Sequence, residues 1–262
     1  MTKKVPVVIL CGGRGTRLKE ETEMRPKPMV EVGGRPILWH IMKLYSFYGF
    51  KDFILCLGYK KEMIKEYFLN YHVMNNDCTV TLGTKHAVKF HSDHLEKDWT
   101  VTLVDTGENA MTGARVKRIE KYLTDDDFML TYGDGVADID IRKLYDFHRA
   151  RKRVGTVCAV HPSSRFGEII VRQGLAVRFS EKPQTTEGFI NGGFFVFKRK
   201  FLEYLSGDPG CYLEREPLER LAHDKQLNVN VHTGFWQCMD TQRELDLLNS
   251  LWQTQSAPWK VW

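Results

Sequence analysis

Val7–Cys11 is a run of five apolar residues, the length and β-branched content of a strand buried on both faces. Pro6 has no amide to donate and so marks the start of that strand. After a glycine-rich polar stretch the apolar spacing changes. Ile37, Leu38, Ile41, Leu44 and Tyr45 recur every three or four residues, which predicts a helix with one buried face, opened by Pro36 and closed by Gly49. Strand Phe53–Leu57 and helix Lys61–Tyr71, with Met63, Ile64, Tyr67 and Phe68 on one face, repeat the alternation. Residues 72–98 break it. They are polar and poorly periodic apart from a short strand near Thr79–Leu82, as in insertions that form interfaces or mobile loops. The rhythm then resumes with strand Thr100–Val104, a helix from Thr112 to Leu123, strand Phe128–Tyr132, helix Ile141–Arg151 and strand Thr156–Val160. Strand patterns at Glu168–Val171, Ala176–Ser180 and Gly193–Phe197 come next, and then helices Lys200–Leu205, Glu214–His223 and Arg243–Trp252.

This order predicts an α/β fold: a doubly wound, mostly parallel, Rossmann-like mixed sheet with helices on both faces and a smaller strand-rich subdomain beside it. No repeat or linker divides the 262 residues, so the chain reads as a single domain.

Composition narrows the function classes. The formal net charge is +5, with basic residues spread rather than clustered. That suits small polyanionic substrates and argues against nucleic acid as a partner. No stretch approaches the roughly 20 apolar residues that span a bilayer, so no membrane partner is expected. The apolar run after Lys3-Lys4 is too short for a signal peptide. Six scattered cysteines without a C-x-x-C pair are read as reduced thiols of a cytoplasmic protein.

Candidate chemistry starts at the end of the first strand. Leu10 and Cys11 lead into Gly12-Gly13-Arg14-Gly15-Thr16-Arg17-Leu18. Glycines allow a sharp turn that brings backbone amides close to phosphate oxygens. The stretch is neither a Walker loop nor the dinucleotide fingerprint, and on its own it is also an ordinary turn between strand and helix. Arg17 adds a group that can clamp phosphate. Lys27 follows between Pro26 and Pro28, which should hold the segment extended and present the ammonium. Asp134 lies between two glycines at a strand end, where α/β sheets bind ligands, and Asp240 follows Phe235–Met239. Two carboxylates suit Mg²⁺, which takes one or two of them plus phosphate oxygens and water. From the residues alone, a turn residue or helix cap is the commoner role for each.

Gly12–Leu18 with Pro26-Lys27-Pro28 resembles the G-G-x-G-T-R-L…P-K-P signature of the sugar nucleotidyltransferases, and the resemblance covers Val5 to Trp259. It implies an enzyme that joins an NTP to a sugar 1-phosphate with Mg²⁺ and releases pyrophosphate. By that resemblance Arg17 and Lys27 are catalytic, and Asp134 and Asp240 bind the metal. Leu10 to Arg17, Ala110, Met111, Thr112, Arg115 and Gly133 lie on the nucleotide. Lys27, Tyr132, Glu181, Lys182, Asn191, Gly192 and Gly193 lie on the sugar phosphate. Residues 1–160 would carry mainly the nucleotide core, 161–240 mainly the sugar-binding portion, and 241–262 a helix and tail.

Pro36–Met42, Asp105-Thr106-Gly107, Met111-Thr112-Gly113, Thr131–Asp138 and Phe235-Trp236 resemble the branch using CTP and α-D-glucose 1-phosphate. Lys19-Glu20-Glu21-Thr22 fits the same branch, since thymidylyl and uridylyl relatives usually place a proline before the threonine. Arg25, Ala110 and the stretch from Ser163 to Glu168 depart from its pattern. UTP or dTTP as substrate, or a nucleotide-sugar-sensing relative without activity, are the alternatives. The branch also implies a homo-oligomer, with the 72–98 insertion as a subunit contact.

Three features have plainer readings. His86, His91 and His94 match no common zinc spacing and are read as solvent-exposed. Asp138-Ile139-Asp140 has the spacing of a glycosyltransferase D-x-D motif but sits at an expected helix start. Trp252, Trp259 and Trp262 are read as packing.

Overall fold

The computed structural model describes residues 5–83, 87–162, 168–180 and 188–262. Its centre is a seven-stranded sheet of β1 (Val7–Cys11), β2 (Asp52–Leu57), β3 (Thr100–Asp105), β4 (Asp127–Tyr132), β5 (Gly155–Val160), β6 (Ile190–Lys198) and β7 (Leu227–His232), in the order β7-β5-β6-β4-β1-β2-β3. β1 runs parallel to β2 and β4, β2 to β3, and β5 to β7. Only β6 is antiparallel to its neighbours β4 and β5. The mixed, mostly parallel sheet expected from the alternating pattern is present. β7 was not expected, although Leu227–His232 alternates apolar and polar residues as a half-buried edge strand does.

Flanking the sheet are helices α1 (Ile37–Phe47), α2 (Lys61–Leu69), α3 (Thr112–Arg118), α4 (Ile141–Arg151), α5 (Glu216–His223) and α6 (Gln242–Gln253). Successive residues of a strand point to opposite faces, so β1 feeds two cores. Val7, Ile9 and Cys11 pack with Ile37, Leu38 and Ile41 of α1 and with Leu245 and Leu248 of α6. Val8 and Leu10 pack with Val116 of α3, Phe201 and Leu221 of α5. That two-sided burial is why the strand is apolar throughout.

Several boundaries differ from the sequence expectation. The helix from Thr112 stops at Arg118 and continues as a 3-10 turn, Glu120–Tyr122, while the helix expected at Lys200–Leu205 is a 3-10 helix, Arg199–Tyr204. The strand-rich stretch divides. Glu168–Arg172 and Leu175–Ser180 form a separate hairpin, whereas Ile190–Lys198 enters the main sheet. In the insertion, Cys78–Thr81 pairs with Ala87–Phe90. Among the described residues no helix is long and apolar enough to cross a membrane, and all six cysteines are free thiols.

The aromatic C-terminus packs, as expected. Trp252, Trp259 and Trp262 surround the buried His40 of α1. The His40 ring donates from Nε2 to the Val32 carbonyl at 2.8 Å and accepts at Nδ1 from the Trp259 indole at 3.4 Å. Protonating Nδ1 would set two donors against each other. Burial lowers the His40 pKa to about 4. His148 of α4 is likewise lowered to about 4 by burial. Both rings bind fewer protons folded than unfolded. Their stabilisation is therefore complete above an unfolded pKa of about 6.5 and is lost as pH falls from there toward 4. Each shift corresponds to on the order of 3 kcal/mol. Urea unfolding between pH 7 and pH 4.5 should show falling stability, and His148→Gln should flatten part of that fall. A flat profile would contradict this account.

Candidate active site

β1 ends at Cys11, and the chain turns away through Gly12–Gly15 into a 3-10 turn, Thr16–Leu18. Gly15 takes φ +64°, a left-handed conformation that favours glycine, and a Cβ there would lie 2.8 Å from Thr22 Cγ2. Thr22 closes the turn by donating to the Gly15 and Leu18 carbonyls at 3.1 and 2.9 Å. Gly12 is constrained from the other side, because a Cβ would run into the Arg115 guanidinium. That guanidinium is buried and donates to the carbonyls of Leu57, Gly107, Gly12 and Glu108 and to the Thr106 hydroxyl, at 2.8–3.1 Å. Arg115 therefore ties the glycine loop to the loop after β3.

Lys27 is 7% exposed. The segment is extended at Pro26 only, a correction to the expectation for the whole Pro-Lys-Pro stretch. Lys27–Met29 is a 3-10 turn in which Met29 N–H donates to the Pro26 carbonyl at 2.8 Å. Pro28 fits because its missing donor falls in the first turn, where amides lack partners anyway. The turn aims the Lys27 ammonium between two carboxylates: Asp134 Oδ2 at 2.6 Å and Asp240 Oδ1 at 2.5 Å. Burial alone would lower the Lys27 pKa, but the charges and hydrogen bonds of Asp134 and Asp240 outweigh it and hold the pKa above the ordinary lysine value. Arg17 Nη1 reaches the other Asp240 oxygen at 2.5 Å.

A small antiparallel pairing brings the two aspartates together. Gly135–Ala137 pairs with Trp236–Cys238 with Gly135 opposite Cys238, and Met239 N–H donates to the Asp134 carbonyl at 2.8 Å. Asp240 is then fixed by the start of α6. Thr241 and Glu244 form a capping box, and Glu244 Oε2 accepts from the Asp240 and Thr241 amides at 2.6 and 2.8 Å.

Two clefts of about 300 and 320 Å³ meet at this cluster. The first is lined by Leu10, Cys11, Gly12, Gly13, Gly15, Lys27, Ala110, Met111, Thr112, Arg115 and Gly133. The second is lined by Asn191, Gly192 and Gly193 with Trp236, Glu214 and Asp240. Arg17, Tyr132 and Asp134 line both. Arg14 and Thr16 line neither. Arg14 pairs with Glu108 at 2.8 Å on the surface. Glu181 and Lys182 lie outside the described residues. Asp140 caps α4 by accepting from Lys143 N–H at 2.9 Å, so the D-x-D spacing belongs to a helix start.

The nucleotidyl transferase family matches residues 6–241. The chain belongs to that family. It is 49% identical to the glucose-1-phosphate cytidylyltransferase of Salmonella typhimurium, over 97% of this chain and 98% of that one. The protein of the same name from Salmonella typhi is similar to the same extent. The crystal structure of HddC from Yersinia pseudotuberculosis complexed with GMP-PN matches with a TM-score of 0.68 at 22% identity, over 95% of this chain and 99% of that one.

In a nucleotidyl transferase the paired aspartates invite a divalent cation. The donor set fits Mg²⁺: two carboxylates already converge on one cation, the Lys27 ammonium, with open clefts on either side for phosphate and water. Among the described residues no group of three or more His, Cys, Asp or Glu could hold a metal. The histidines of the insertion depart in part from the expected exposure. His91 is exposed, but the His94 side chain is only 18% exposed and packs against Tyr71 and His72. His86 lies outside the described residues.

The sequence reading missed Glu214, Thr131, Phe194 and Pro28 in the cleft walls. Glu214 had no signal, since nothing in its neighbourhood distinguishes it from other charged residues near a helix start. Burial raises Cys11 well above the ordinary thiol value and Cys238 to about 12.

Proposed function

We propose that this chain joins CTP to α-D-glucose 1-phosphate, giving CDP-glucose and pyrophosphate. The observation that carries a transfer reaction is Lys27 held between Asp134 and Asp240 where the two clefts meet. CTP and glucose 1-phosphate as the pair are supported by the 49% identity to the Salmonella typhimurium glucose-1-phosphate cytidylyltransferase and by the branch-like stretches Met111-Thr112-Gly113 and Thr131–Asp138. On this reading the first cleft takes the nucleotide and the second the sugar phosphate. Residues 1–160 then supply most of the nucleotide side, 161–240 much of the sugar side, and 241–262 a helix and tail within a single domain.

The reaction needs no nucleophilic side chain. A sugar-phosphate oxygen bonds to the α-phosphorus as the bond from that phosphorus to the pyrophosphate oxygen breaks, and no proton moves. The protein's task is placement and charge neutralisation. Amides of the Gly12–Gly15 turn, fixed from behind by Arg115, cradle the triphosphate. Arg17 pairs with the departing pyrophosphate. Lys27 supplies its positive charge to the α-phosphate as charge builds there. Asn191 and the Gly192-Gly193 bulge of β6 lie against the sugar. Mg²⁺ held by Asp134 and Asp240 would supply a Lewis acid and a template for the phosphates.

We also read the 72–98 insertion as a contact between subunits of a homo-oligomer. Val80, Leu82, Val88 and Leu95 are exposed on or beside its hairpin. Sedimentation showing only a 30.5 kDa species would contradict that reading.

The substrate assignment is tested by pyrophosphate release from CTP, UTP, dTTP, ATP and GTP, each against a panel of sugar 1-phosphates. CTP with glucose 1-phosphate should give the highest kcat/KM. A higher value for UTP or dTTP would move the base assignment, and no turnover with any pair would favour a nucleotide-sugar-sensing relative.

A further inference from the structure

Tyr132 and Thr112 converge on one carboxylate that the chemistry above does not use. Tyr132 ends β4 and lines both clefts. Its hydroxyl donates to Glu214 Oε1 at 2.6 Å and accepts from Asn191 Nδ2 at 3.3 Å. Thr112 begins α3 and lines the nucleotide-side cleft. Its hydroxyl donates to Glu214 Oε2 at 2.7 Å and accepts from the Leu213 amide at 2.9 Å.

The donors therefore point inward from both sides, from Asn191 through Tyr132 to Glu214 and from Leu213 through Thr112 to Glu214. An ionised carboxylate only accepts, so both series must end there. Bonds of this length to a charged acceptor are roughly twice as strong as neutral ones. The segment carrying Glu214 is itself fastened to the nucleotide-side wall. Met111 N–H donates to the Pro209 carbonyl at 2.8 Å and Ala114 N–H to the Cys211 carbonyl at 3.1 Å. The carboxylate thus fixes the Tyr132 ring at the shared wall and Thr112 at the nucleotide wall together.

We propose that Glu214 is a positioning residue that couples the two clefts, so that filling one through Tyr132 or Thr112 prepares the other. This rests on the reading that the first cleft takes CTP and the second glucose 1-phosphate. Linkage requires the coupling to be reciprocal. Each ligand must change the affinity for the other by the same factor.

Calorimetry with α,β-methylene-CTP, which cannot react, would measure its Kd with and without glucose 1-phosphate, and the reverse, in the presence of Mg²⁺. In the wild-type protein each ligand should tighten the other by at least ~5-fold, the lower range of such couplings. Glu214→Ala should bring that factor close to unity while leaving the thermal midpoint near the wild-type value. Tyr132→Phe and Thr112→Val should each reduce it, yet change nothing further when added to Glu214→Ala, because residues acting as one unit are not additive. The proposal is overturned if the wild type shows no coupling, if Glu214→Ala keeps it, or if the Tyr132→Phe and Thr112→Val effects persist undiminished in the Glu214→Ala background. Absence of both binding and turnover in the wild type would instead overturn the substrate reading, and this proposal with it.

Discussion

Replacing Lys27 by alanine is expected to lower kcat by at least ~10²-fold, the scale for losing one preorganised donor to a transition state. The structure adds a second consequence. Lys27 is the cation shared by Asp134 and Asp240, at 2.6 and 2.5 Å. Without it two partly buried carboxylates face each other, with Arg17 the one cation still paired to them among the described residues, and removing one partner of a buried ion cluster costs roughly 3 kcal/mol or more. Lys27→Ala should therefore melt earlier than the wild type in EDTA, and Mg²⁺ should restore much of the difference while leaving turnover low. Differential scanning fluorimetry with and without Mg²⁺, beside initial rates, separates the two effects. Near wild-type turnover would remove Lys27 from the chemistry, and a melting point indifferent to Mg²⁺ would remove the aspartates from metal binding.

Asp134→Ala and Asp240→Ala should each lower turnover by at least ~10²-fold, a loss comparable to that at Lys27, and move the Mg²⁺ activation curve to higher concentration. Asp240 should be the more sensitive position. It binds both Arg17 and Lys27, and Glu244 fixes its backbone, whereas Asp134 binds Lys27. Magnesium titrations of initial rate check both variants, and an unchanged titration in either would count against ligation by that residue.

How much of this was legible in the sequence depended on whether the signal was local. β1, β2 and β4 were plain because burial on both faces makes a nearly continuous apolar run, broken in β4 by Thr131, and α1 was plain because its apolar positions keep helical spacing between Pro36 and Gly49. β7 was passed over because an edge strand is half solvated and Leu227–His232 carries only three apolar residues. The apolar run of β6 marks it as a strand, but nothing local in it announces that it runs antiparallel to β4 and β5. The glycine turn and Lys27 were recognisable because their spacing is a motif. The capping box at Thr241 and Glu244 was present in the sequence and would have explained why Asp240 points where it does. Glu214 was not legible. Its partners, Thr112 and Tyr132, lie 102 and 82 residues away, and only the folded sheet brings them to it. Arg115, expected on the nucleotide, lines the first cleft, and its five hydrogen bonds to Gly12, the end of β2 and the loop after β3 also hold the wall of that cleft.

The central claim is that the two substrates react directly with each other between Lys27, Asp134 and Asp240, with no covalent intermediate on the protein. The stereochemical course at the α-phosphorus tests it most directly, using CTP carrying a single diastereomer of an α-phosphorothioate with glucose 1-phosphate. A single in-line displacement predicts inversion of configuration in the CDP-glucose formed. Net retention would require two displacements, and hence a nucleophilic side chain, and would contradict the account.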